Sequence, residues 1–266
     1  MLFKPTIDEN KIPRHTLQDE MDNVKPNPIP KIEIDVELDN IKNILILPST
    51  LQIMGDTMGK FEVGEIRVIY DNLKLGVDDE DGEYDEDEQL YKSLKNENFK
   101  NKYKDETIPI YNYKANLIII ISRFDNIITY NAIAKQLVSV LKKLIYNWFI
   151  LAPCSLNNNQ SINKLIINKE YVQTIEIPLL KPPHVVTGIG GALLSELSDN
   201  AQNLTITGLI LNSEGKPGYE KIDTDSIMDS AKVLNDILKL SPSFQHDLSI
   251  KIRRFNTSAH GGGIYI

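Results

Sequence analysis

The sequence predicts an α/β protein in which helices flank a mixed or mostly parallel β-sheet. Residues Asn116 to Ser122 contain an unbroken run of isoleucines, as expected for a strand buried on both faces of a sheet. An amphipathic stripe from Ile133 to Leu144 follows, and then a second apolar run from Trp148 to Ala152. This order of strand, helix and strand favours parallel pairing through a crossover connection.

The residues that precede this strand–helix–strand unit are predicted to form an extended arm and several strands. Residues 1–30 contain five prolines, whose fixed φ and missing N–H donor favour an extended arm. A single α/β domain is predicted over residues 31–258. Alternation of apolar and polar residues predicts half-buried strands from Ile32 to Leu38 and from Glu62 to Tyr70, with a buried strand from Ile44 to Leu47 between them. The nearly all-acidic stretch 78–88 is predicted to be a solvated loop insertion.

The remaining elements are predicted from caps, breakers and apolar spacing. Thr129 or Asn131 is expected to cap the helix after the isoleucine run, and Pro153 is expected to end the following strand. Later in the chain we expect a strand at Leu165–Ile167, a helix at Val185–Leu197, a strand at Leu204–Leu211, a helix capped by Asp223 or Thr224 and ending near Leu240, and a last helix on which Phe244, Leu248, Ile252 and Phe255 share one stripe.

Composition excludes several classes of function. The 266 residues carry a formal charge of −8, which opposes attraction to nucleic acid or to anionic lipid. The single cysteine, Cys154, permits no internal disulfide, and the four histidines show no metal-ligand spacing. The longest apolar run, Leu117 to Ile121, is far shorter than the ~20 residues of a membrane-spanning helix. We therefore expect no cofactor, no metal, no nucleic acid and no membrane partner. Residues Met1 to Asn10 lack the apolar stretch of a secretory signal, so we expect a cytoplasmic location, with the nucleus as an additional one.

The end of the chain is the main candidate site. Residues 259–266 are predicted to form a flexible docking tail, in which Gly261, Gly262 and Gly263 act as the tether because glycine resists ordering. The tip, Ile264-Tyr265-Ile266, combines two aliphatic side chains, an aromatic ring with a hydroxyl, and the terminal carboxylate. A pocket with apolar walls and a lysine or backbone donors could capture such a tip. A frayed terminus and a ligand for a PDZ-type groove are the alternatives.

An enzyme on the same scaffold is the competing class. Cys154 and Ser155 follow a buried strand, where open α/β sheets often bind ligands, and His184 or His260 could supply a base. Glu214 follows another strand and could hold a ribose-like diol, as in a nucleoside phosphorylase or hydrolase. No orienting acid is identifiable by spacing, and an inert thiol and a turn explain these residues more simply.

The segment Gly188-Ile189-Gly190-Gly191 is a further candidate for phosphate binding. It lacks the full spacing of a dinucleotide fingerprint and the Lys-Ser/Thr of a P-loop, so we interpret it as close backbone packing.

Several segments together resemble a known family. The segments are Met1-Leu2-Phe3-Lys4, Lys181-Pro182-Pro183 with Thr187-Gly188, Asn212-Ser213-Glu214-Gly215 with Gly218-Tyr219-Glu220-Lys221, and Ile264-Tyr265-Ile266. In these segments the chain is similar to the first subunit of the fungal heterodimeric chaperone of proteasome α-ring assembly, a member of the proteasome assembly chaperone family.

This resemblance implies a non-enzymatic binding protein with a related second subunit. It implies that Ile264, Tyr265 and Ile266 form the hydrophobic-Tyr-x motif that docks between α-subunits of the 20S core particle, where the terminal carboxylate meets a pocket lysine. The pair would then assist assembly of the α-ring on its outer face and block premature binding of activators that carry the same tail.

Overall fold

The computed structural model describes residues 28–38, 40–70, 103–168, 176–200, 203–215 and 219–260. The acidic stretch 78–88, most of the predicted arm and the tail residues 261–266 lie outside these ranges. The described residues form one sheet of nine strands with helices on both faces, which confirms the predicted α/β class. The strands are β1 (Lys31–Val36), β2 (Asn43–Pro48), β3 (Phe61–Ile69), β4 (Glu106–Tyr113), β5 (Asn116–Ile121), β6 (Asn147–Cys154), β7 (Ile162–Asn168), β8 (Thr205–Glu214) and β9 (Lys221–Ile222).

In the described ranges, five α-helices connect or follow these strands. After β2, a short 3-10 turn, Ser49–Leu51, continues into the single turn of α1. The helices are α1 (Gln52–Gly55), α2 (Ile127–Leu141), α3 (Gly188–Asn200), α4 (Thr224–Leu238) and α5 (Phe244–His260).

The sheet is parallel in the centre and antiparallel at both sides. The strand order is β1-β3-β4-β5-β2-β6-β8-β7, and β9 pairs with β8 outside this path. Strands β5, β2, β6 and β8 run parallel to one another. Strands β4, β3 and β1 add on one side and β7 on the other, each antiparallel to its neighbour. The carboxyl ends of the four parallel strands therefore meet at one edge of the sheet.

A row of asparagines fixes the register of three parallel strands at the opposite, amino edge. Asn43, the first residue of β2, is paired in register with Asn116 of β5 and with Asn147 of β6. The Nδ2 atom of Asn43 donates to Oδ1 of Asn116 over 2.7 Å, and Nδ2 of Asn147 donates to Oδ1 of Asn43 over 2.9 Å. A shift of one residue in either pair would break these bonds and turn each side chain to the other face.

Each face of the sheet has its own apolar core. Helices α2 and α3 cover one face through Ile133, Leu137 and Leu193, which pack against the strand residues Ile46, Ile119 and Ile150 and their neighbours. Helices α1, α4 and α5 cover the other face, where their apolar residues pack against the alternate strand positions; this second core includes Leu45, Leu47, Met54, Ile118, Phe149, Leu151, Leu234, Phe244, Leu248 and Ile252. The alternation follows from the two-residue period of a strand.

Several predicted boundaries were wrong. The first helix of the parallel unit is capped by Asn126, whose side chain accepts from the N–H of Ile128, and not by Thr129 or Asn131. Strand β6 continues through Pro153 to Cys154, because its ladder with β2 ends at Ile150 and only β8 pairs with it beyond that point. A proline is tolerated where one side of a strand has no partner.

The later helices also differ in their limits. Helix α3 begins at Gly188, three residues after the predicted Val185, and Asp223 caps α4, which ends at Leu238 with Lys239 in the left-handed region at φ 52°. Helix α5 includes Ala259 and His260, which were predicted to belong to the flexible tail.

Strand β4 was not predicted at all. Its pattern is interrupted by Pro109, which pairs with Glu65 of β3 but lies just outside the ladder with β5, which starts at Ile110. Among the described residues, no helix has the length and the apolar character needed to cross a membrane.

Candidate functional site

Helix α5 connects the folded body to the predicted docking residues. Its apolar stripe, Phe244, Leu248 and Ile252, is buried in the core on one face of the sheet. A second contact comes from Lys251, whose ammonium donates to the backbone oxygen of Asp56, next to α1, over 2.7 Å. The first half of α5 is therefore held firmly against the body.

After Ile252 the next three side chains of α5 lie outside this core. Arg253, Arg254 and Phe255 are exposed, and the backbone stays helical to His260. The predicted site residues Ile264, Tyr265 and Ile266, with the tether Gly261, Gly262 and Gly263, follow this helix and lie outside the described residues. Their proposed role stays a prediction; the described structure gives their point of attachment.

A lysine and a tyrosine stack beside the contact between α5 and α1. The Lys60 ammonium lies 3.9 Å from the centre of the Tyr111 ring and 3.5 Å from a carboxylate oxygen of Asp56. Burial lowers the pKa of Lys60, opposed in part by the charge of Asp56, and burial also raises the pKa of Tyr111. These shifts follow from a packed contact in which both polar heads lose water.

The thiol of Cys154 lies at the carboxyl edge of the sheet, where an enzyme site was considered. Its Sγ atom lies 3.4 Å from the backbone oxygen of Val185 and is buried. Burial raises the pKa of the Cys154 thiol, and the nearby charge of Glu220 acts in the same direction. A nucleophilic cysteine needs the opposite shift, because the thiolate is the reactive form.

The histidine considered as a base is engaged elsewhere. Nε2 of His184 accepts the N–H of Asn157 over 3.3 Å, and its Nδ1 is hydrogen-bonded to the backbone oxygen of Lys181. Through these two hydrogen bonds the imidazole ring links two loops. Neither ring nitrogen is hydrogen-bonded to Cys154 or Ser155. The second histidine considered, His260, is on the last turn of α5.

The loop after β8 is also explained by structural contacts. Glu214 is exposed and pairs with Lys221 in the short β8–β9 ladder, and Gly215 has φ 112°, a conformation that favours glycine. The side chain of Asn212 accepts the N–H of Leu156 over 3.0 Å and donates to Asp223 over 3.1 Å. The residues at this edge tie the loops together.

The asparagine, aspartate and serine side chains here extend that network along α4. Asp223 accepts the N–H of Ser226 over 2.6 Å at the start of the helix, and the Ser226 hydroxyl donates to the backbone oxygen of Ser161 over 2.7 Å. The Ser161 hydroxyl donates to Asp229 over 2.6 Å, and hydrogen bonds from Lys232 and Ser161 lower the pKa of Asp229. Across the described ranges, no group of three or more His, Cys, Asp or Glu residues could hold a metal ion.

Two of the three glycines considered for phosphate binding, Gly190 and Gly191, pack closely against neighbouring residues, whereas a Cβ on Gly188 would meet no atom within 4 Å. A Cβ on Gly190 would lie 2.5 Å from the Cβ of Ala152 in β6, and a Cβ on Gly191 would lie 2.4 Å from the backbone oxygen of Val186. The absence of side chains allows α3 to approach the sheet closely. This confirms the interpretation as a packing motif.

Two surface features were not expected from the sequence. The Arg123 guanidinium stacks 3.5 Å from the centre of the Tyr219 ring, joining two distant loops at the carboxyl edge. Phe255, assigned from its spacing to the apolar stripe of α5, is 43% exposed although Ile252 on the same stripe is 6% exposed. The paired arginines directly before Phe255 are the sequence signal that the helix has left the core at that point.

The described residues form an α/β fold in which two of the candidate catalytic groups at the carboxyl edge, Cys154 and His184, already have hydrogen-bond partners. The chain belongs to the POC1 chaperone family, whose model matches residues 1–266. No curated protein matches the chain.

Among solved structures the chain is similar to Pyrococcus furiosus PbaA, described as an archaeal homolog of proteasome-assembly chaperone. The match has 17% sequence identity and a TM-score of 0.57 and covers 86% of this chain and 95% of that chain. The monoclinic form of PbaA matches at 17% identity with a TM-score of 0.52, covering 88% and 94%. A protein of unknown function from Thermoplasma acidophilum matches at 11% identity with a TM-score of 0.49, covering 84% and 87%. The likeness to PbaA confirms the α/β fold.

Proposed function

We propose that this chain is a proteasome assembly chaperone that binds the outer face of the 20S core particle α-ring through Ile264, Tyr265 and Ile266. It acts there with a related second chaperone subunit, in the cytoplasm and the nucleus. Membership of the POC1 chaperone family supports the general role. The observation that carries the proposal is the chain's end, where a hydrophobic-Tyr-x tip directly follows three glycines.

The chemistry of the tip explains how a few residues can bind. The Tyr265 ring offers apolar area and a hydroxyl, and aromatic side chains dominate the energy of many interfaces. The free carboxylate of Ile266 accepts charge-assisted hydrogen bonds, each about 1.5–3 kcal/mol when the partner is charged. A pocket between two α-subunits with a lysine at its base matches both groups.

The folded body adds to this contact. Once the tip is bound, any contact between the body and the ring becomes intramolecular, so weak contacts reinforce each other through effective concentration. A tail that fills a pocket between two α-subunits stabilises the correct pairing of those subunits. While the tail occupies the pocket, an activator with a similar tail cannot bind there. Both effects are steric and require no turnover.

Substitution of the tyrosine tests the proposal. Tyr265→Ala should weaken binding to purified 20S core particle by about 30-fold or more, since loss of a central aromatic residue typically costs at least 2 kcal/mol. Binding can be measured by biolayer interferometry on the purified heterodimer. Tyr146→Ala is the matched control, because Tyr146 is 62% exposed on the body, and it should bind as the wild type does.

The terminal carboxylate is tested in the same assay. Deletion of residues 264–266, or addition of one glycine after Ile266, should abolish most binding, while circular dichroism shows an unchanged fold. A ligand of a PDZ-type groove would tolerate Tyr265→Ala, because its middle position is largely free. Undiminished binding of the tail-deleted chain to the core particle would refute the proposal.

A further inference from the structure

The apolar stripe of α5 extends beyond the body that it packs against. Leu248 and Ile252 are 0% and 6% exposed, whereas Phe255, three residues further along the same stripe, is 43% exposed. A spacing of four and then three residues keeps these side chains on one face of a helix. The helix therefore carries an aromatic side chain past the edge of its own core.

The covalent chain limits how far Phe255 can be from a bound tip. Along the helix, Phe255 and His260 are separated by about 7.5 Å, at 1.5 Å per residue. From His260 to Ile264 the chain spans at most about 14 Å when fully extended. When Ile264 sits at the mouth of a pocket, Phe255 therefore lies within about 21 Å of that mouth.

This distance keeps Phe255 within reach of the receptor. A standard protein interface covers about 800 Å² on each partner, a patch roughly 30 Å across. The border of such a patch lies about 15 Å from its centre, so a residue tethered within about 21 Å can lie inside the patch or only about 6 Å beyond its border. The short tether thus allows the exposed ring of Phe255 to meet the protein that holds the tail.

We propose that Phe255 forms a second contact with the α-ring surface beside the pocket that holds Ile264-Tyr265-Ile266. This contact rests on the proposed function and names a further binding residue for it. The occupant is an apolar patch on the outer face of an α-subunit next to the pocket. Burial of the ring there completes the stripe that the chain's own core leaves uncovered.

The test compares four purified chains, each with the second subunit, for binding to 20S core particle. Phe255→Ala should weaken binding about five-fold or more, as expected for an aromatic contact at an interface. Phe255→Leu keeps apolar area and should recover most of the affinity. Tyr146→Ala is the control, because Tyr146 is 62% exposed and follows α2, which packs on the opposite face of the sheet, and it should leave the affinity unchanged.

Thermal unfolding of the same chains separates the alternatives. Phe255→Ala should leave the melting temperature unchanged, since the ring lies outside the described core. A lower melting temperature would mean that another part of this chain covers Phe255, and would overturn the inference. If Phe255→Ala binds the core particle as tightly as the wild type does, the inference about Phe255 is overturned. The proposed function stays intact in that case, provided that binding of the wild type still depends on the tail. Loss of tail dependence in the wild type would overturn both.

Discussion

At the scale of the residue, burial decides which side chains can react. Cys154 sits at the carboxyl end of a central parallel strand, a position that often bears catalytic groups in α/β folds. Its environment is apolar, however, and burial raises the pKa of the thiol. The neighbouring His184 is hydrogen-bonded through both nitrogens to other loops. Position in the fold alone would have suggested a nucleophile, and the local contacts argue against one.

This account predicts a slow reaction of Cys154 with thiol reagents. A raised pKa leaves less thiolate at pH 8, and burial restricts access, so both effects slow the reaction. Measured with Ellman's reagent at pH 8, the folded chain should react at least tenfold more slowly than the same chain in 6 M guanidinium chloride. Rapid reaction of the folded chain, at the rate of the unfolded one, would contradict the assignment of Cys154 as a buried structural residue.

At the scale of the element, strands and helices were predicted where one periodic signal dominated. The run of isoleucines in β5 is the pattern of a strand buried on both faces. The single apolar stripe of α2 is the pattern of a helix buried on one face. Strand β4 was missed because Pro109 interrupts its pattern, and proline is excluded only from positions paired on both sides. Which positions have two partners depends on where neighbouring ladders end, and that is a property of the whole sheet.

Close packing of α3 on β6 gives a prediction at this scale. Gly190→Ala should destabilise the fold by about 1–3 kcal/mol through overpacking, because the new methyl would lie 2.5 Å from the Cβ of Ala152. For a chain of this size that corresponds to a melting temperature lower by about 2–12 °C. The double variant Gly190→Ala/Ala152→Gly lacks the Ala152 methyl group and should recover part of the lost stability.

A second glycine serves as the control for this experiment. A Cβ on Gly59 would meet no atom within 4 Å, so Gly59→Ala should change stability by no more than about 0.5 kcal/mol. Differential scanning fluorimetry of the wild type and these three variants measures the set. Equal stability of Gly190→Ala and Gly59→Ala would show that the close approach of α3 to β6 is not required.

At the scale of the whole molecule, the sequence predicted the fold class and the candidate tip but not the order of the strands. Strand β2 lies between β5 and β6, although the chain passes directly from β5 through α2 to β6. The spacing of apolar residues shows which side chains are buried, but it does not show which strands lie next to each other. The insertion of β2 between β5 and β6 therefore could not be predicted from the pattern. The exposure of Phe255 was likewise missed, because spacing places this residue on the apolar stripe of α5 but does not tell where the core ends.

The central claim is that Tyr265 enters a pocket between α-subunits of the core particle. It is tested most directly by replacing Tyr265 with the photoreactive analogue p-benzoylphenylalanine, irradiating the chain with its second subunit and core particle, and identifying the crosslinked peptides by mass spectrometry. The account predicts crosslinks to two neighbouring α-subunits on the outer face of the ring. Crosslinks only within the chain itself, or only to proteins outside the core particle, would contradict it.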